Sequence, residues 1–235
     1  MNILITCGGT SVPIDNVRSI TNFSSGRLGI NLAQSFVSDQ DWNTHFTNSR
    51  VSLFCSNFAF NAYKEQVSQV QNHRRSAVHS FTTYDEYAIG LEKIINSYKF
   101  DAIILAAAVS DYTCDPVDGK LSSNDEIMLT LRPTEKIISK IRGWEHDAML
   151  AGFKLTSGDD VSTLLSKMSD SIRKNDCDCV FGNDINSIRQ GFDGLIAMDK
   201  KGTCTFHSRD TLKDYIIHQI NVKKNENLTR KNAER

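Results

Sequence analysis

Short apolar runs of strand length alternate along this chain with longer stretches whose apolar residues recur at helical spacing. Residues 2–6 form a β-branched run that predicts a buried strand. After a polar loop, Leu28, Leu32, Ala33 and Phe36 mark the buried face of a helix. Residues 39–50 are polar and turn-rich, and 51–55 predict the next strand. The periodicity over 57–75 is weakly helical, and 77–81 read as a strand. Tyr84, Tyr87, Leu91, Ile94 and Ile95 define an amphipathic helix over 83–99, with Thr83 as its N-cap. Residues 102–107 are wholly apolar, as expected of a central parallel strand buried on both faces.

Further along, 109–124 read as loop, and 126–131 alternate as an edge strand does. Pro133 suits a first helical turn and introduces a helix over 134–142. Strands over 149–155 and 179–182 bracket a helix over 159–174. A hairpin joins 195–198 to 203–206 around Asp199-Lys200-Lys201-Gly202, and a last helix covers 209–220. Residues 221–235 carry too little apolar surface to order themselves, so the reading is a folded unit at 1–222 and a charged, disordered tail at 223–235. Strands alternating with helices imply an α/β fold: a doubly wound, Rossmann-like parallel sheet with a small antiparallel appendage. Ligands bind such sheets beyond the carboxyl ends of the strands, where the loops after Thr6, Ala107, Leu155 and Phe181 gather.

At 235 residues the chain suits one domain with a full core. A formal net charge of −1 argues against a general nucleic-acid binder. No run approaches the ~18 apolar residues of a membrane span. Met1 leads directly into the first strand and leaves no room for a signal peptide, which predicts a cytosolic protein. The six cysteines, at 7, 55, 114, 177, 179 and 204, are scattered and lack a second pair or nearby histidines at ligand spacing. They read as small core thiols. Asn227-Leu-Thr matches a glycosylation acceptor, which is without meaning in a cytosolic chain.

The densest chemistry lies near the start. The first strand empties into Gly8-Gly9, where the backbone can approach a ligand without interference from Cβ atoms. Ser24-Ser25-Gly26-Arg27-Leu28-Gly29 then opens a helix. Orphan backbone donors and a positive helix end suit a phosphate there. The glycines do not fit the dinucleotide fingerprint, and the lysine-serine pair of a P-loop is missing, so glycines that serve turning alone are the competing reading.

The stretch GGTSVPIDNVRSITNFSSGRLG resembles the opening motif of the phosphopantothenoylcysteine synthetase family, whose pattern is roughly GGT-x-x-P-ID-x-VR-x-I-x-N-x-SSG-x-x-G. Every fixed position is present, and similarity continues through 106–112, 120–123, 152–155 and 173–184. The resemblance implies a ligase of coenzyme A biosynthesis that joins 4′-phosphopantothenate to cysteine through an acyl-nucleotidylate. It implies that Asn22 holds the activated acyl group, that Arg18 serves the substrate side or acts structurally through Asp15, and that Ala106, Ala108 and Asp111 lie beside the nucleotide and the reacting acyl group. Gly8, Gly9, Ser24, Gly26 and Gly29 would meet the nucleotide's phosphates, and Lys120 would be a mobile cation closing over them. Phe153 would stack on the base, Asn183 would read its edge, and Lys174 would touch base or triphosphate. One departure stands out: Asp170 occupies a position that is often basic in bacterial members, while Lys167 lies on the same helical face. The six histidines fall outside these motifs and receive no role.

As co-substrate the resemblance favours CTP, with ATP as the alternative, accompanied by Mg²⁺ held mostly by triphosphate oxygens and water. It implies a homodimer, with subunit contacts at 38–80 or 124–131, and a separate decarboxylase acting next. The chain begins at the synthetase motif, so no flavin and neither nucleic-acid nor membrane partner are expected. Two rivals remain at this point. An NAD(P)-dependent short-chain reductase would need a compact glycine turn and a Tyr-x-x-x-Lys pair, both missing here. A non-catalytic nucleotide-binding module would need neither Lys120 nor Asn22.

Overall fold

The computed structural model describes residues 1–39, 49–124, 126–192 and 194–233. Its strands are β1 Asn2–Gly9, β2 Ser11–Pro13, β3 Ser19–Thr21, β4 Arg50–Ser56, β5 Ala77–Phe81, β6 Ala102–Ala108, β7 Tyr112–Thr113, β8 Arg132–Pro133, β9 Met149–Thr156, β10 Cys179–Asp184, β11 Gly194–Asp199 and β12 Cys204–Ser208. Helices are α1 Arg27–Ser38, α2 Asn57–Ala62, α3 Lys64–Asn72, α4 Tyr84–Ser97, α5 Ile141–Trp144 (preceded by the 3-10 turn Ile137–Lys140), α6 Val161–Asn175, α7 Ile185–Arg189 and α8 Leu212–Ala233.

One sheet of eight strands organises the described residues, in the order β12-β11-β10-β9-β6-β1-β4-β5. From β5 across to β10 every neighbouring pair is parallel; β11 and β12 then add antiparallel at the edge. Counting the parallel strands alone, the order runs third, second, first, fourth, fifth, sixth. This is the doubly wound arrangement, whose direction of winding reverses between β1 and β6.

The strand sequences explain why both faces are covered. Successive side chains of a strand point to opposite faces, and here both sets are apolar. Ile3, Ile5 and Cys7 pack with Phe36 of α1 and Ile216 of α8 on one face. Leu4 packs with Leu91 of α4 and Met168 of α6 on the other. Thr83 caps α4 by accepting from the Glu86 amide, and the Glu86 side chain reaches back to the Thr83 amide, a complete capping box.

Several expectations are corrected. Residues 126–131 form no strand; β8 begins only at Arg132 and pairs with Tyr112–Thr113. Pro133 therefore lies in a two-residue ladder, and the expected helix over 134–142 shrinks to a 3-10 turn and α5. The loop before α1 contains the hairpin β2–β3. Most of the loop expected at 39–50 falls outside the described residues. The tail expected to be disordered from 223 continues α8 to Ala233. Its charges, not apolar burial, hold it: Lys223 reaches Asp178 at 3.1 Å, Lys224 reaches Asp101 at 2.7 Å, and Arg230 reaches Asp147 at 2.7 Å. Among the described residues no helix is long and apolar enough to cross a membrane.

Asp178, just ahead of β10, is the centre of this lower surface. Its carboxylate is 7% exposed and accepts from Arg142 at 2.6 Å, the Leu150 amide at 2.8 Å, Lys200 at 3.0 Å and Lys223 at 3.1 Å. Burial works to raise its pKa, but Arg142, the Leu150 amide and the two lysines outweigh it and hold the carboxyl below its ordinary value. A lowered folded-state pKa contributes stability above the unfolded value of about 4, and that stability is lost as pH falls through the folded value. Asp178→Asn is therefore expected to cost on the order of 3 kcal/mol at pH 7, with the deficit shrinking below about pH 4. Urea midpoints of both proteins between pH 3 and pH 7 check this; a deficit independent of pH contradicts it.

Candidate active site

The reversal point between β1 and β6 opens into a cleft of ≈ 1060 Å³. The two strands stay in register to Gly9 and Ala108, then part. Three contacts hold the fork. Thr10 N–H donates to the Ala108 carbonyl at 3.2 Å, Ser110 N–H donates to Thr10 Oγ1 at 2.9 Å, and the Asn22 amide donates to the same Ala108 carbonyl at 3.1 Å. Beneath it, Thr6 Oγ1 meets the Tyr87 hydroxyl at 3.3 Å and accepts from Ala107 N–H at 3.3 Å. Burial pushes the Tyr87 phenol far above its ordinary pKa, so it stays a neutral hydroxyl.

Five of the candidate residues line the cleft: Asn22, Ala108, Asp111, Phe153 and Lys174. They come from the β3–α1 loop, the end of β6 and the segment after it, the end of β9, and α6. Lys167 and Asp170 line it too, on the same face of α6 as Lys174. Asp111 is paired with Lys136, Asp170 with Arg173 and Lys167 with Asp159. Phe153 lies 5.0 Å from Phe181, centroid to centroid, with one side toward the cleft.

Other candidates sit elsewhere. Ala106 lies one residue below Ala107 and Ala108, which line the cleft in its stead. Asn183 donates from its amide to the Gly194 carbonyl at 2.7 Å, which holds β10 to β11, and accepts from the N–H of the next residue, Asp184, at 2.7 Å, so both its ends are engaged. The glycines pack against chain. A Cβ at Gly8, whose φ is 86°, would sit 2.1 Å from Ser56 Oγ; at Gly29, 2.5 Å from the Cys7 Cβ; and at Gly9, 2.7 Å from the Asn22 carbonyl. Gly26 is the N-cap of α1 in the left-handed region. Ser24 is half-buried in the same turn; Gly26 gives α1 no capping side chain and the first turn carries no acidic residue, while Ser25 Oγ accepts from Arg27 N–H at 3.3 Å.

Arg18 and the segment that carries Lys120 meet around Asp15. The Asp15 side chain is fully buried and accepts from the amides of Val17 at 2.8 Å, Arg18 at 2.7 Å and Leu121 at 3.1 Å. The Arg18 guanidinium lies 3.2 Å from Asp15 and donates to the Leu121 carbonyl at 3.1 Å. Burial would raise the Asp15 pKa, and the amide hydrogen bonds with the Arg18 charge overcome it, leaving the carboxyl below its ordinary value. Asn16 N–H donates to Gly119 O and Val117 N–H to Ile14 O, both at 2.9 Å. The segment carrying Lys120, expected to be a free lid, is thus tied on both sides to the 14–18 turn. The Lys120 side chain itself is exposed and outside the cleft lining.

The sequence reading passed over cleft residues that lack a motif: Lys136, Thr156, Ser157, Ser171 and Arg189. The run after Phe181 was a usable signal for Arg189, because it continues from a strand end on the binding side of the sheet. Among the described residues no group of three His, Cys, Asp or Glu side chains is placed to hold a metal ion.

With this geometry in place, comparison with known proteins decides the family. The model of the DNA/pantothenate metabolism flavoprotein C-terminal domain matches residues 1–221. The chain belongs to that family. This agrees with the resemblance carried by the opening motif. The coenzyme A biosynthesis bifunctional protein CoaBC of Methanocaldococcus jannaschii is 30% identical over 185 residues, covering 78% of this chain and 40% of that protein. The phosphopantothenate–cysteine ligase CAB2 of Saccharomyces cerevisiae is 27% identical over 235 residues, covering 77% of this chain and 64% of the yeast protein. The chain therefore spans less than half of the first of these relatives and just under two-thirds of the second. Among solved structures, the DNA/pantothenate metabolism flavoprotein of Streptococcus pneumoniae superposes with a TM-score of 0.77 at 26% identity, over 94% of this chain and 99% of that one. A Cab2 variant in complex with phosphopantothenate-cysteine gives a TM-score of 0.80 at 19% identity, over 96% and 88%, a likeness of fold.

Replacing Asp15 by Ala removes the acceptor shared by three amides, so the 117–123 backbone should become the fastest site of limited proteolysis. Mass mapping of the first fragments checks this. Cleavage at the parent's rate there would show that Asp15 does not hold the segment.

Proposed function

We propose that this chain joins phosphopantothenate to cysteine, activating the carboxylate with a nucleoside triphosphate. The observation that carries the reading is Asn22, whose amide is oriented by the Ala108 carbonyl at the fork of β1 and β6, at the floor of a cleft large enough for two ligands. Family membership and relatives bearing the ligase name support it.

In the first step a substrate carboxylate oxygen displaces pyrophosphate from the α-phosphorus and forms an acyl-nucleotidylate. In the second the cysteine amine adds to the acyl carbon, loses a proton, and the nucleoside monophosphate departs with the electron pair of the breaking C–O bond. Asn22 is placed to hold the acyl group still between the two steps, an effect of orientation. The flat ends of Ala107 and Ala108 let that group lie against the backbone. The start of α1, where Gly26 brings no capping side chain and Ser25 Oγ takes up only the Arg27 amide, offers backbone N–H donors to a phosphate. Lys120 would add charge once the segment held by Asp15 moves toward the cleft. CTP is the favoured nucleotide. Magnesium, a hard ion that keeps much of its water, would arrive on the triphosphate oxygens, since the nearby Asp111 carboxylate is engaged by Lys136. We place the contact of a homodimer at 124–131, where Met128 is 95% exposed and Ile127, Leu129 and Leu131 are also exposed. Met128→Glu should then give a monomer by light scattering; an unchanged mass would move the contact elsewhere.

Pyrophosphate release dependent on phosphopantothenate, measured with CTP and with ATP, tests the reaction and the nucleotide together. Release with neither nucleotide overturns the ligase reading and leaves a binding module. Asn22→Asp separates the half-reactions: pyrophosphate release should persist, while amide formation falls on the order of 10²–10³-fold. Equal loss in both steps, in a variant with the parent's melting temperature, would remove Asn22 from the acyl-holding role.

A further inference from the structure

The charges of the cleft divide into two populations. Its carboxylates are taken up: Asp111 by Lys136, Glu135 by Lys140 and Asp170 by Arg173. Lys167, on the same helical face as Asp170, is neutralised by Asp159. Three cations remain whose side chains have neither an ion pair nor a hydrogen bond among the described residues, namely Lys154, Lys174 and Arg189. All three belong to one side of the cleft, since they come from β9, from α6 and from α7. The side at Asn22 and Ala108 carries no cation in its lining at 21–23 or 105–110.

Asp184 fixes this arrangement. It accepts from Thr156 Oγ1 at 3.0 Å and from Gly158 N–H at 2.8 Å with one oxygen, and from Asn186 N–H at 2.9 Å with the other. The exit of β9 and the start of α7 are thereby held together, and Arg189 at the end of α7 is brought to the same cleft as Lys154. Like charges so gathered repel one another unless an anion lies between them. A triphosphate matches their number; a single phosphate ester does not.

We propose that Lys154 and Arg189, with Lys174, form a polyphosphate-binding wall on the β9–β10 side of the cleft, and that Arg189 supplies the cation missing at Asp170. The proposal rests on the nucleotide-dependent reading above and adds to it the place and the residues that take the triphosphate. It leaves the fork at Asn22 for the uncharged part of the reacting acyl group.

The probe is inorganic tripolyphosphate, titrated calorimetrically into the full chain, which makes the test independent of turnover. Lys154→Gln and Arg189→Gln should each weaken binding about 10-fold, the double variant about 100-fold, and Arg189→Lys much less. In steady state the same changes should raise KM for the nucleoside triphosphate and leave KM for cysteine and for phosphopantothenate unmoved. The side chains are exposed, so melting temperatures should match the parent. Failure of the parent to bind tripolyphosphate, or unchanged affinity in the double variant, overturns the wall. A rise in KM for phosphopantothenate in place of the triphosphate overturns it too, by assigning the wall to the monophosphate ester. Weakened tripolyphosphate binding in the variants, where the parent binds tripolyphosphate but releases no pyrophosphate, would uphold the wall while overturning the ligase.

Discussion

Everything at the binding end depends on how closely the start of α1 is drawn down onto the end of β1. A Cβ at Gly29 would sit 2.5 Å from the Cys7 Cβ, and one at Gly26 would sit 2.6 Å from the Ala59 Cβ and 3.2 Å from the Gly8 nitrogen, so the helix start can reach the strand end only because it gives up its Cβ atoms there. With that contact made, the chain between Gly9 and Gly26 has little freedom. It must leave the sheet, turn back through β2 and β3, and cross over Gly9 to rejoin the helix. Asn22 is the residue that crosses, and the Ala108 carbonyl is the acceptor it meets. The glycines thus act on the site at one remove: they fix where the amide lies.

The same contact explains which parts of the fold were legible in the sequence. A parallel strand buried on both faces must be apolar throughout, and 102–107 is; helix α4 announces itself by Thr83 and Glu86 at capping-box spacing. Where local pattern and tertiary context diverge, the reading failed. Residues 126–131 alternate like a strand but have no neighbour to pair with in one copy of the chain. Pro133 looks like a helix start, yet Tyr112 offers its segment a strand partner. The final turns of α8 bury almost nothing apolar. They are ordered by ion pairs to Asp101, Asp147 and Asp178, three carboxylates contributed from 45 to 123 residues earlier in the chain. No window of sequence contains such a pairing.

The site shows a similar division. Asn22, Ala108, Asp111, Phe153 and Lys174 were legible because a motif or a strand end marks them, and the cleft gathers them. Arg18 and Asn183 share those motifs, but their polar atoms are engaged with Asp15 and Leu121, and with Gly194 and Asp184. A motif records what the fold requires as well as what the ligand touches. Lys154 and Arg189 carry a different lesson: the segment 152–155 and the run after Phe181 mark their place on the binding side of the sheet, but nothing in the sequence shows that their charges are left without an ion pair. Their meaning comes from the pairing of every neighbouring charge.

That pairing gives the cleft its polarity. A reaction that activates a carboxylate must bring two anionic ligands together, and in water-poor surroundings their repulsion is severe. A site lined uniformly by cations would attract both but would not tell one from the other. Here the fork of β1 and β6 offers amides and hydroxyls, suited to a group that loses its charge as the anhydride forms, while the unpaired cations stand across from it. On the proposed reading, orientation follows from charge: the ligand with more phosphate would be drawn to the β9–β10 side, with its α-phosphorus toward the amide of Asn22. The fold would achieve this by where the winding of the sheet reverses, because that reversal opens the neutral fork on one flank of the cleft and leaves α6 and α7 on the other.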